Sequence, residues 1–147
     1  MKSTIKSSVK SLPESFQAEA TAGNHKVMID EPEESGGTDK GMNPIELMLT
    51  GLGGCQVLSA KMFAAVMDFK FEEITVDVEG DVDMDVIMGD DPEAYRGLSE
   101  IRCCYHIKTD ESEDRVKEFI KLVDDRCPVS ETLKNAVNVV QSGYEIN

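Results

Sequence analysis

The sequence predicts one domain that mixes a β meander with helices, and three observations carry that reading. Three short strand-like pieces open the chain, a capped and strongly apolar helix follows, and the second half sets alternating strands beside an amphipathic helix. At 147 residues the chain can bury roughly two-thirds of its unfolded surface in one core. No internal repeat and no dividing linker is visible, so residues 1–147 are expected to form one domain: a meander over 1–31, a loop over 32–42 and a core over 43–147.

The opening pieces are Thr4 to Lys10, Ser15 to Thr21 and His25 to Glu31, separated by Leu12-Pro13-Glu14 and Ala22-Gly23-Asn24. The second separator is a tight-turn signal, which makes the set an antiparallel meander. From Pro32 to Gly41 the composition turns to Glu, Gly, Ser, Asp and Lys, and a mobile loop is expected. Asn43 then offers a helix cap, Pro44 suits the first helical position and Glu46 falls third, the spacing of a capping box. The helix should run to about Asp68. Leu47, Gly51, Cys55, Leu58, Met62 and Val66 share a stripe joined by Met48, Leu52 and Ala65, which predicts a central, buried helix. Gly51, Gly53 and Gly54 each cost about 1 kcal/mol in a helix, so a second helix or a ligand is expected to approach closely there.

Alternation from Ile74 to Val86 against Asp77, Glu79, Asp81, Asp83 and Asp85 predicts a long strand or bent hairpin arm with one acidic face. Asp90-Asp91-Pro92-Glu93 turns the chain, Leu98 to Lys108 gives a second strand, and Glu111 to Asp125 reads as a helix through Val116, Phe119, Ile120 and Val123. Pro128 would break that helix. A short helix from Cys127 or Pro128 to Asn135 and a last strand over Val137 to Ile146 complete the expectation.

Fifteen basic residues against 29 acidic ones give a net charge of −14, which repels phosphate backbones and anionic head groups and argues against nucleic-acid or membrane-surface partners. The N-terminus lacks the apolar block of a secretory signal, and Leu47 to Ala60 is shorter than the roughly 20 residues of a membrane span. A cytoplasmic protein is expected. In a reducing compartment four cysteines without a CxxC spacing do not make a structural disulfide framework.

Two of those cysteines stand out. Cys55 ends the run Asn43-Pro44-Ile45-Glu46-Leu47-Met48-Leu49-Thr50-Gly51-Leu52-Gly53-Gly54-Cys55, and Cys127 opens Cys127-Pro128-Val129-Ser130. Cys127 precedes a helix start and follows Arg126, where dipole and charge favour the thiolate. Cys55 lies mid-helix among glycines that leave room for a substrate. The pair reads as a redox dithiol, with inert buried thiols as the alternative.

An Asn-Pro-x-Glu-Leu opening, a small-residue run ending in Gly-Gly-Cys and a distant Cys-Pro-Val-Ser resemble the two cysteine motifs of the OsmC/Ohr family of osmotically induced and organic-hydroperoxide-resistance proteins, in particular its OsmC-like branch. The resemblance covers nearly the whole chain. It implies an α+β fold and an intertwined homodimer whose two long central helices are wrapped by antiparallel sheets. It also implies that Cys55 attacks the peroxide O–O bond, that Cys127 resolves the sulfenic acid to a disulfide, and that a lipoyl-type dithiol reduces it. No cofactor and no metal is implied.

The chain departs from the family pattern at two points. The position ten residues before Cys55, where active peroxidases carry Glu, holds Ile45, with Glu46 one residue later; and no Arg precedes Arg96. Glu46 is thus a candidate for catalysis, with the capping-box acid as the favoured reading. The rival reading is a small-molecule-binding or redox-sensing dimer without catalysis. Asp81, Asp83 and Asp85 do not make a calcium loop, since Val86 and Pro92 stand where Gly and Glu are required. Cys104 and His106 share one strand face and could give two metal ligands, but a core Cys and a surface or satisfied His are the favoured reading.

Overall fold

The computed structural model describes residues 1–135 and 137–146. Two compact units are present, one over Met1–Thr50 and one from Gly51 onward.

The first unit is the expected meander. β1 (Ser8–Ser11), β2 (Ala18–Ala22) and β3 (His25–Ile29) pair antiparallel in the order β1-β2-β3. Ala22 pairs with His25 across the two-residue turn Gly23-Asn24, and Gly23 takes φ +58°, the left-handed region a side chain would resist. The strands are shorter than the sequence patterning suggested.

The loop after β3 is better organised than its composition promised. A 3-10 turn covers Glu33–Ser35, and Asp30 gathers the rest. Asp30, 1% exposed, accepts hydrogen bonds from the Thr38 hydroxyl at 2.6 Å and from the backbone amides of Glu31, Thr38 and Lys40 at 2.8, 3.3 and 3.1 Å. The Thr38 hydrogen bond leads, and with the three amides outweighs burial to hold the carboxyl well below its ordinary value. A carboxyl depressed in the folded state contributes stability above the unfolded pKa, about 4, and that contribution is lost as pH falls below it. Asp30→Asn is therefore expected to destabilise the chain at pH 7 and to flatten the loss of stability between about pH 4 and pH 2, read by urea unfolding at each pH; an unchanged acid limb would refute the role.

α1 (Pro44–Ala64) spans the boundary between the units. The capping box forms as expected: Glu46 N–H donates to Asn43 Oδ1 and Asn43 N–H donates to Glu46 Oε2, both at 2.9 Å. The 21-residue helix is long and apolar enough, by length and composition, to cross a membrane, longer than the Leu47 to Ala60 stretch on which a span was discounted. It nevertheless buries Gln56 and Ser59 with Leu52, Gly53 and Ala60 against protein. The expected buried stripe is the other face: Leu58, Met62 and Val66 are 64%, 69% and 73% exposed within the chain. Of the three glycines, Gly53 alone is crowded, since a Cβ there would stand 3.1 Å from the Val78 side chain. At Gly53 the close approach is a strand's.

In the second unit β4 (Glu73–Asp81) and β5 (Glu100–Lys108) form an antiparallel ribbon with Glu73 opposite Lys108 and Asp81 opposite Glu100. The strand ends at Asp81. Asp83 and Asp85 do not continue a wet strand face: Asp83 caps a short helix, α2 (Met84–Met88), by accepting from the amides of Asp85 and Val86. Arg102 on β5 holds Glu79, Asp81 and Glu100 together on the outer face. α3 (Glu113–Asp125), capped by Ser112, and α4 (Pro128–Lys134) follow. The core joins Ala60 of α1, Phe69, and Phe119 and Val123 of α3, with Ile74, Tyr105 and Ile107 of the ribbon packed against them. Arg115 fixes the turn after α1 by donating to the carbonyls of Met67 and Asp68.

The last strand does not form. Residues 137–146 carry no regular structure, and Val139, Tyr144 and Ile146 are more than four-fifths exposed. β-branched composition alone cannot make a strand without a partner edge.

Candidate functional site

α1 and α4 bring the two cysteines together. Pro128 fixes the first turn of α4, so Cys127 becomes its N-cap and its Sγ accepts from the Ser130 amide at 3.4 Å. Cys55, half-buried on α1, is near enough to Cys127 to push that thiol's pKa up. Both are free thiols.

The sequence placed Cys127 where a helix dipole should activate it, and the folded environment reverses that expectation. Cys127 is 1% exposed, and burial pushes its thiol up; the neighbouring Cys55 sulfur adds to the rise, while the Ser130 and Val129 amides only partly oppose it. Desolvation outweighs the helix terminus, so Cys127 is held as the neutral thiol at neutral pH.

Three residues that sequence reasoning did not select support this corner. Ser130 Oγ donates to Asp124 Oδ1 at 2.7 Å, and Lys134 pairs with the other carboxylate oxygen. Burial raises the Asp124 carboxyl, but the hydrogen bonds from Lys134 and Ser130 prevail and lower it. Asp124, at the end of α3, is thereby tied to α4 at two points beyond Cys127. Ser130 belongs to the quoted Cys-Pro-Val-Ser motif; nothing local singles out Asp124 or Lys134, which meet only in the fold.

Glu46 keeps its place in the capping box, in the first unit. Cys103 and Cys104 face opposite sides of β5: Cys103 is half-buried and Cys104 exposed. His106 Nε2 lies 2.8 Å from Asp77 Oδ2, and among the described residues no group of three or more His, Cys, Asp or Glu is placed to hold a metal ion.

The family model for OsmC-like proteins matches residues 37–142. A protein named hydroperoxide reductase from Mycoplasma genitalium is 28% identical over 120 residues, 81% of this chain and 79% of the relative. A second of that name, from Mycoplasma pneumoniae, is 32% identical over 97 residues, 66% of this chain and 65% of its own length. Among solved structures, an OsmC-like protein from Mycoplasma pneumoniae superposes with a TM-score of 0.80 at 26% identity, covering 92% of this chain and 91% of the other. The organic hydroperoxide resistance protein OsmC from Legionella pneumophila superposes with a TM-score of 0.68 at 20% identity, covering 90% of each chain, and shares the fold.

Proposed function

The chain belongs to the family of OsmC-like proteins, and from that premise we propose that it is a thiol-dependent peroxidase reducing organic hydroperoxides. The proximity of Cys55 to Cys127, near enough to push that thiol up, is the observation that carries this reading, and the names of the two mycoplasmal relatives support it. Because Cys127 is buried and held neutral, Cys55 is the attacking sulfur. Its thiolate takes the terminal oxygen of ROOH, the O–O bond breaks, and ROH leaves after protonation; Cys55 is now a sulfenic acid. The Cys127 sulfur displaces water from it to give the Cys55–Cys127 disulfide. An external dithiol of lipoyl type restores both thiols and leaves as its own disulfide.

The working unit in this proposal is a homodimer of single-domain chains, each covering residues 1–147, in the cytoplasm. The exposed stripe of Leu58, Met62 and Val66 and the unpaired segment 137–146 supply apolar surface for the intertwining that the family resemblance implies. Glu46 is the third candidate site residue. Glu46→Gln keeps an acceptor for the Asn43 amide, so it separates charge from capping. Activity is expected to fall about tenfold with little change in melting temperature, since a charged partner contributes on the order of 1–3 kcal/mol more than none; an unchanged kcat/KM would make Glu46 a capping residue only.

The experiment that tests the function is steady-state consumption of tert-butyl hydroperoxide with dihydrolipoamide as reductant. Turnover is expected, and its absence would overturn the enzymatic reading. The lack of any Arg before Arg96 favours a second reading, a redox-sensing dimer. That protein would form the Cys55–Cys127 disulfide on peroxide treatment, seen by mass spectrometry, without turnover.

A further inference from the structure

Cys127 sits in a turn that one residue grips at both ends. The Asp124 carbonyl accepts from the Cys127 amide at 3.3 Å, and the Asp124 carboxylate accepts from the Ser130 hydroxyl at 2.7 Å. Between those two points the Ser130 amide donates to Cys127 Sγ at 3.4 Å. The sulfur therefore depends for its place on where Asp124 holds Ser130.

Stability alone gives this arrangement little reason. The side chains of the Lys134–Asp124 pair are 56% and 34% exposed, and such a pair contributes little to folding. The hydroxyl of a helical serine can satisfy itself on the carbonyl four residues back, yet buried Ser130 reaches out of α4 to the end of α3 instead. Chemistry gives a stronger reason. A disulfide closes only in a narrow geometry, with Cβ atoms about 3.5–4.5 Å apart, and a small misplacement of a reacting group costs rate steeply. Burial holds Cys127 protonated, and the Ser130 amide is one of the groups that oppose it, so an amide out of place also slows formation of the thiolate.

We infer that Asp124 is a positioning residue for Cys127: acting through Ser130, it sets the rate at which Cys127 closes the disulfide, and it leaves the reaction of Cys55 with its oxidant untouched. The inference rests on the proposed dithiol chemistry, but not on peroxide as the oxidant. With peroxide, Cys127 displaces the hydroxyl of the Cys55 sulfenic acid, and the thiol proton leaves with that oxygen as water. With oxidised glutathione, the Cys55 thiolate expels one glutathione thiolate and forms a mixed disulfide; Cys127, its proton given to solvent, then expels the other. Both routes end in the same Cys55–Cys127 bond.

The test follows the full reduced chain by rapid mixing and acid-quenched mass spectrometry, with tert-butyl hydroperoxide and with oxidised glutathione. In Asp124→Ala the first step should keep its rate while closure slows about tenfold, the scale of one hydrogen bond to a charged group. The sulfenic acid, trapped by dimedone, or the glutathione adduct should then accumulate on Cys55. Asp124→Asn keeps an oxygen for the Ser130 hydroxyl and should recover most of the rate. Ser130→Ala removes the same hydrogen bond from its other end and carries the test if Asp124→Ala fails to fold. It should be as slow as Asp124→Ala, and the double variant no slower than either. Unchanged closure, an equal loss in the first step, or losses that multiply in the double variant would overturn the inference. A wild-type chain that closes with glutathione but does not turn over peroxide would remove the enzymatic reading alone, and slowed glutathione closure in Asp124→Ala would still uphold the role of Asp124.

Discussion

Cys55→Ser is expected to abolish hydroperoxide turnover, by on the order of 10³-fold or more, the scale on which an enzyme falls when its nucleophile is removed. The size of the effect follows from the chemistry of the pair. Serine is no nucleophile toward an O–O bond at neutral pH, and the remaining thiol, Cys127, is buried and held protonated by desolvation and by its neighbour. Cys127→Ser makes the complementary case and is structurally mild. A serine oxygen can accept from the Ser130 amide as the sulfur does at 3.4 Å, and serine is a favoured N-cap. This variant should therefore consume about one equivalent of peroxide per chain and stop, with Cys55 trapped by dimedone as the sulfenic acid. Stopped-flow peroxide consumption distinguishes the two. Residual steady-state turnover in Cys55→Ser, or a missing first turnover in Cys127→Ser, would reverse or remove the assigned roles.

The capping box at Asn43 and Glu46, the hairpin at Gly23 and the proline-led start of α4 were legible because each is decided within four residues of chain. What was not legible is decided by partners distant in sequence. Local rules correctly put Cys127 at a helix N-terminus, but the sign of its shift depends on burial and on a sulfur 72 positions earlier in the chain. Asp83 has the same alternation as Asp81, but Asp81 meets Arg102 across the ribbon whereas Asp83 caps α2. Which face of α1 the chain itself covers was not legible for a related reason. Both sides of that helix are apolar, and periodicity cannot say which of them the chain itself covers.

Phe119→Ala should cost about 3–5 kcal/mol of folding free energy and lower the melting temperature by on the order of 10 °C for a chain of this size. Phe119 is fully buried, stacks on Phe69 at a centroid separation of 4.0 Å and lies 6.1 Å from Phe71. It therefore joins α3 to the segment that leads from α1 into the β4–β5 ribbon, and no smaller side chain fills the resulting void. The loss would be a large part of the 5–15 kcal/mol that holds an ordinary domain folded. Leu58→Ala gives the informative contrast. Leu58 is 64% exposed within the chain, so in a monomer the truncation should cost well under 1 kcal/mol. In the proposed dimer the same side chain is covered, and the truncation should cost about 2 kcal/mol or more, with a loss that deepens on dilution as the association equilibrium takes hold. Thermal unfolding of the two variants over a range of protein concentrations separates core from interface. A concentration-independent, near-neutral Leu58→Ala would leave α1 an exposed helix and remove the dimer from the proposal, while a near-neutral Phe119→Ala would mean that the aromatic cluster does not hold the second unit together.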